Sequence, residues 1–148
     1  MKSLLLIACS NRKSHKPGLL PAIERYDGVS YRVIRKAQRE GRFPPNLDIN
    51  ILSAKFGLID ASTPIPYYDQ RMDSQRSREL KVRVQEELKR RLVQTQYSEI
   101  YIDLGKDYLH AIEGLVALPE SKLIFAEGRI GKRLGKLKQW LSLERSSL

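Results

Sequence analysis

The chain has 148 residues, 41% of them hydrophobic and 30% charged, with a formal net charge of +10 and a single cysteine. That length fits one α/β domain (1–148) with a core of its own, and the average composition argues against a disordered tail or low-complexity linker. One cysteine excludes an intramolecular disulfide framework and points to a reducing compartment; the excess of Lys and Arg favours nucleic acid or nucleotides as partners.

The first apolar run, Leu4 to Ala8, is far shorter than the roughly 20 residues of a membrane span. It leads straight into Asn11-Arg12-Lys13 rather than a small-residue cleavage site. It reads as a buried first strand, and the protein as cytoplasmic with no membrane association. Ile49 to Ser53, Ile100 to Leu104 and Leu123 to Ala126 are three further runs of strand length. All four are nearly continuous rather than alternating, as in a parallel sheet covered by helices on both faces.

Helical patterns fill the intervals. Tyr31 to Glu40 ends at Gly41 and the Pro44-Pro45 pair. Ser74 to Gln94 spaces Leu80, Val84, Leu88 and Leu92 four apart on one face. Its other face offers the pairs Glu79/Arg83, Glu86/Arg90 and Glu87/Arg91. Lys106 to Leu115 and Gly131 to Leu143 are the remaining helices, the last expected to bury Ile130, Leu134, Leu137 and Leu141. The alternation predicts an α/β, three-layer Rossmann-like sandwich with a short, mainly parallel four-stranded sheet.

In such folds ligands sit outside the carboxyl ends of the strands, so chemistry is sought just past each one. Cys9-Ser10-Asn11-Arg12-Lys13 places a thiol beside small polar groups and two cations. This suits either a thiolate nucleophile toward an electrophilic carbon or a phosphate or carboxylate site built from Ser10, Asn11 and Arg12, with Cys9 as a small core residue the bland alternative. After the second run, Gly57 permits an abrupt turn that would aim Lys55 into the same cleft, as an anion holder or a base. The loop Thr63 to Met72 is stiffened by Pro64 and Pro66 and offers Tyr67 and Tyr68 for stacking on a base, with Asp69 as a general base or orienting carboxylate; the alternative is a structural loop over the sheet with Tyr67 or Tyr68 packed as core. Gly105 opens a helix start that can receive an anion. Arg129, with Lys132 and Arg133, forms a basic helix start able to track a phosphate backbone. No metal site and no cofactor is expected: His15 and His110 stand in unrelated contexts and no cysteine pair exists.

Four segments together resemble a known group. Ala-Cys-Ser-Asn-Arg-Lys (8–13), Tyr26-Asp27-Gly28, Ile51 to Leu58 and Pro66-Tyr67-Tyr68-Asp69 look like a small bacterial domain family that resembles the archaeosine synthase catalytic domain and, more distantly, the YaaA peroxide-stress proteins. The resemblance implies a fold related to uracil-DNA glycosylase and work on a nucleobase or deazaguanine-like base in nucleic acid or nucleotide. Cys9 then matches the motif cysteine and Lys13 its cation, while Ala8 stands where archaeosine synthase has proline. Tyr26 and Ser53, inside the matching segments, join Ser10 to Lys13, Tyr67, Tyr68, Gly105 and Arg129 as substrate-binding candidates beside Cys9, Lys55 and Asp69 as catalytic ones. The other outcomes are a non-catalytic DNA- or RNA-binding protein and a regulatory nucleotide-binding domain, with a partner protein or homo-oligomer left open.

Overall fold

The structure is a computed structural model that describes residues 2–115 and 121–146, with side chains to 142. A five-stranded sheet runs in the order β4-β3-β1-β6-β7, built from β1 (Lys2–Ala8), β3 (Leu47–Ser53), β4 (Gly57–Asp60), β6 (Tyr97–Asp103) and β7 (Lys122–Phe125). A small ladder joins β2 (Leu20–Pro21) to β5 (Pro64–Ile65). The helices are α1 (Ala22–Arg25), α2 (Val29–Arg39), α3 (Ser74–Gln94) and α4 (Ile130–Ser146), with a 3-10 turn at Leu109–Ile112.

The four anticipated strands are parallel, as their continuous apolar runs require. The sheet has a fifth member, however. Gly57 takes a positive φ of 75°, which lets the chain reverse and pair Gly57–Asp60 antiparallel to β3. The segment expected to supply a turn is also the edge strand.

Alternate β1 side chains face opposite layers. Leu4 and Leu6 pack with Leu80, Val84, Leu88 and Leu92 of α3, the four-residue stripe legible in the sequence. Leu5, Ile7 and Cys9 pack with Tyr31 and Ile34 of α2 and with Leu137, Trp140 and Leu141 of α4. The Asp73 carboxylate caps α3 by accepting from the Arg76 N–H at 2.7 Å.

Three expectations are corrected. Residues 106–115 do not form an α-helix: Tyr108 N–H donates to Gly105 O and Ala111 N–H to Tyr108 O, the three-residue spacing of a tighter turn. Ile130, the first residue of α4, is 52% exposed rather than buried. Of the three expected acid–base pairs on α3, Glu87–Arg91 forms; Arg90 instead joins Glu87, and Arg83 donates to the Phe56 carbonyl.

Candidate functional site

The sheet order puts the reversal of strand order, between the parallel strands β1 and β6, at the centre of the sheet. From β1 the chain crosses by α1 and α2 to β3 on one side, and later by α3 to β6 on the other. Open α/β sheets bind ligands at such a switch point. Here it holds a half-open cleft of about 240 Å³. Its lining includes Cys9 and Ser10 past β1, Asp103 and Gly105 at the end of β6, Tyr108, and Arg133 of α4.

Each lining group is set by a local cause. Ile7 and Asp103 are register partners, so the β6 carboxyl sits two residues below Cys9 on an adjacent strand. Tyr108 donates its hydroxyl to the Cys9 carbonyl at 3.2 Å, and its oxygen is 3.3 Å from the Cys9 sulfur. Helix α3 holds that tyrosine in place through Ser77, whose hydroxyl donates to the Tyr108 carbonyl at 3.1 Å. Tyr31 donates to the Ala8 carbonyl at 2.7 Å and fixes the end of β1. Ser10 accepts from the Gly28 N–H at 3.2 Å and donates to the Arg12 carbonyl at 2.7 Å. A Cβ at Gly28 would lie 2.9 Å from that of Ser10, so the approach requires glycine.

The electrostatics favour an anion at the cleft mouth. Helices α2 and α4 both begin there, with no acid in their first turns, and helix N-termini attract negative charge. Arg133 lies 3.8 Å from Asp103, and among the described residues its Nε–H has no hydrogen-bond partner. Burial raises the Asp103 carboxyl above its ordinary range, a shift that Arg133 partly opposes. The Tyr108 hydroxyl is pushed well up by burial and by the adjoining thiol, so it holds its proton.

A second polar cluster lies on the β3 side of Cys9. Tyr26 and Tyr68 share a 2.6 Å hydroxyl contact, and both meet the Ser53 hydroxyl, at 3.1 and 3.0 Å. Ser53 also accepts from the N–H groups of Lys55 and Phe56. Lys13 is buried with its ammonium 4.5 Å from the Tyr68 ring centre, a cation–π geometry. Desolvation lowers its pKa, against the opposing charges of Cys9 and Asp69.

The anticipated residues therefore fall into three places. Cys9, Ser10 and Gly105 line the cleft. Lys13, Tyr26, Ser53 and Tyr68 form the hydroxyl cluster behind it. Asn11, Arg12, Lys55, Tyr67, Asp69 and Arg129 are exposed and do not line the cleft; Lys55, expected to reach it, follows β3 on the opposite side of β1 from β6. Lys55 lies above the Phe56 and Tyr68 rings, and Arg12 pairs with Asp27, which also holds Arg32 and Arg35. Asp103 and Tyr31 lie outside the sequence candidates, Tyr108 closes the Gly105 to Tyr108 segment, and Arg133, expected to track a phosphate backbone, lines the cleft instead. The one signal for Asp103 was an acid inside the apolar run Ile100 to Leu104.

A larger hollow of about 520 Å³ opens at the amino ends of β3 and β6. Its acids are already engaged, Asp60 by Arg91 and Asn50 and Asp48 by Lys2 and the Tyr97 hydroxyl. The candidate residues lie at the other end of the sheet. Among the described residues, no group of three or more His, Cys, Asp or Glu could hold a metal ion.

A family match runs over residues 4–141. The chain belongs to a family of unknown function, DUF6884. No curated protein matches it. Among solved structures it is similar to the crystal structure of AF0587, a protein of unknown function, with a TM-score of 0.57 at 15% identity. The match covers 94% of this chain and 44% of that one, so the chain spans less than half the length of AF0587. At that identity the likeness concerns the fold alone. The likeness to archaeosine synthase and the YaaA proteins rests on the short sequence motifs, and neither match adds to it. No described helix is long and apolar enough to cross a membrane.

Proposed function

We propose that this chain is an enzyme acting on a nucleobase or a modified, deazaguanine-like base, carried by nucleic acid or nucleotide, in the cleft between β1 and β6. The observation that carries the reading is the convergence of the Cys9 thiol, the Asp103 carboxyl, the Tyr108 hydroxyl and the Arg133 guanidinium at the switch point. Buried acid, nucleophile and cation in one cleft are the usual constituents of a catalytic site. The volume, below the roughly 300–1,000 Å³ of drug-sized pockets, suits a single ring system.

Each group has a role. Cys9 is the nucleophile toward an electrophilic ring or side-group carbon. Asp103, its pKa raised, passes a proton to or from the base. Tyr108 orients the thiol, and Arg133 with the two helix starts receives the anionic part of the substrate. Nucleosides from total nucleic acid, compared by mass spectrometry in cells with and without the gene, test this. A nucleoside should change in abundance, and wild type but not Cys9→Ala or Asp103→Asn should restore it. An unchanged nucleoside profile would sink the reading.

A second reading is a non-catalytic nucleic-acid-binding protein. It is favoured by the exposed cations Arg129, Lys132 and Lys138 around α4 and by the net charge of +10. Its signature is affinity that falls steeply with salt and is lost on reversing Lys132 and Lys138 to Glu, with Cys9→Ala indifferent.

A further inference from the structure

Outside the cleft, two loops at the same end of the sheet present an exposed aromatic pair. The His15 and Tyr67 rings stack with centroids 4.5 Å apart at an interplanar angle of 30°. Both residues are exposed, Tyr67 by 44%. Burial therefore does not account for the pair, yet the structure fixes it firmly. Arg25, fully buried, donates to the carbonyls of Ser14 and Lys16, both at 2.8 Å, and of Gly18 at 2.6 Å. The same guanidinium reaches the Ile65 carbonyl at 3.3 Å. One side chain thus ties the loop bearing His15 to the strand that leads into Tyr67. The ladder Leu20↔Ile65 and Pro21↔Pro64 repeats the tie, and Pro64 and Pro66 stiffen the Tyr67 side.

The surroundings are basic. Lys16 follows His15 directly, Arg12, paired with Asp27, stands three positions before it, and Arg71 stands four positions after Tyr67. Lys55 lies over the Tyr68 ring beside it. Asp69 is the acid within this stretch. A rigid aromatic face among cations is what unpaired nucleotides recognise, since every base can stack and every linkage carries negative charge.

We infer that the His15–Tyr67 pair is a stacking platform for an unpaired nucleotide, so that the substrate of the cleft is a single-stranded or locally unpaired polynucleotide rather than a free base or intact duplex. Arg25 prepares the platform before binding, which lowers the ordering cost on association. His15 lies six positions after Cys9, at most about 22 Å of extended chain. A strand with one base in the cleft can therefore place a near neighbour on the platform. The inference rests on the nucleic-acid part of the proposed function.

The test is fluorescence anisotropy of the full chain with a labelled eight-nucleotide single strand and its duplex, at one fixed salt concentration. The single strand should bind more tightly than the duplex. Tyr67→Ala and His15→Ala should each weaken single-strand binding about 5- to 100-fold, with Tyr67→Trp retaining it and unchanged circular dichroism in all three. Wild-type affinity in both alanine variants, or equal binding of duplex, overturns the platform. Failure to bind any oligonucleotide overturns it too. The cleft reading is separable, because a free base or nucleotide that raises the Tm of wild type but not of Asp103→Asn would uphold the cleft without the platform.

Discussion

The Cys9 sulfur and the Tyr108 oxygen lie 3.3 Å apart although 99 positions separate them in the chain. The contact exists because β1 and β6 are neighbours and because the turn after β6 is tied to α3. It joins the only cysteine to a hydroxyl that keeps its proton, beside a carboxyl, Asp103, that is 4% exposed.

Asp103 is a group whose burial costs stability. Its folded pKa is raised, chiefly by desolvation, so the favourable contribution is complete only below the ordinary carboxyl value and is lost as pH rises through the folded one. At neutral pH Asp103→Asn should therefore melt at the same temperature as wild type or higher, and the difference should shrink toward pH 4. Activity should fall about 100-fold or more, as expected for a lost acid–base group. A lower Tm at pH 7 would contradict the assignment.

Among the described residues, buried Arg25 is satisfied by backbone carbonyls and by no carboxylate. Arg25→Met leaves those carbonyls unpaired and should cost about 3 kcal/mol or more in urea unfolding. Arg25→Lys should recover little, since an ammonium cannot reproduce the planar fork. A loss below about 1 kcal/mol for both would show the network to be dispensable.

The three hydroxyls of Tyr26, Ser53 and Tyr68 act as one unit. Tyr26→Phe and Tyr68→Phe should each cost about 1–2 kcal/mol. The double variant should cost less than the sum by roughly 1 kcal/mol, because the second change removes a group already deprived of its partner. Strict additivity in a double-mutant cycle would argue that the 2.6 Å contact carries no coupling.

Alkaline pH should unfold the chain cooperatively. Burial raises Tyr26 and Tyr101 to about 12, and Tyr31, Tyr68 and Tyr108 further still. Above the unfolded value near 10, the folded state holds protons that the unfolded chain releases, so stability falls as pH rises. The lowered pKa of Lys13 works the other way, below its ordinary value, but it is one group against several. The urea midpoint should drop markedly between pH 9.5 and 11.5, with the phenolate absorbance of these buried tyrosines appearing only as the fold is lost. A flat midpoint would refute the burial of these hydroxyls.

Much of this architecture was written in the chain as hydrophobic period. The Leu80–Val84–Leu88–Leu92 stripe and the four apolar runs could form only an α3-type helix and doubly covered strands. Residues 57–60 were missed because four residues after a turn glycine carry too little pattern to separate a strand from the turn. The 106–115 segment misled for the opposite reason: its apolar residues follow a helical spacing, but Gly114, at φ 78°, and the three-residue hydrogen bonds leave no room for an α-turn. At the site, Cys9, Ser10 and Gly105 were legible because they immediately follow strands. Asp103 was hidden within one, and Tyr108 and Arg133 enter only when α3 and α4 fold over the sheet. Lys55 follows a strand too, but on the far side of β1, a placement that depends on strand order rather than on local sequence.

The central claim, that the cleft receives a base next to Cys9, can be measured on the one cysteine in the chain. Alkylation of Cys9 by iodoacetamide, followed by intact-mass spectrometry, reports that single site without interference. Saturating base, nucleotide or single-stranded oligonucleotide should slow labelling of wild type at least several-fold, with less protection in Asp103→Asn and Arg133→Ala. An alkylation rate unmoved by every one of these ligands would contradict it.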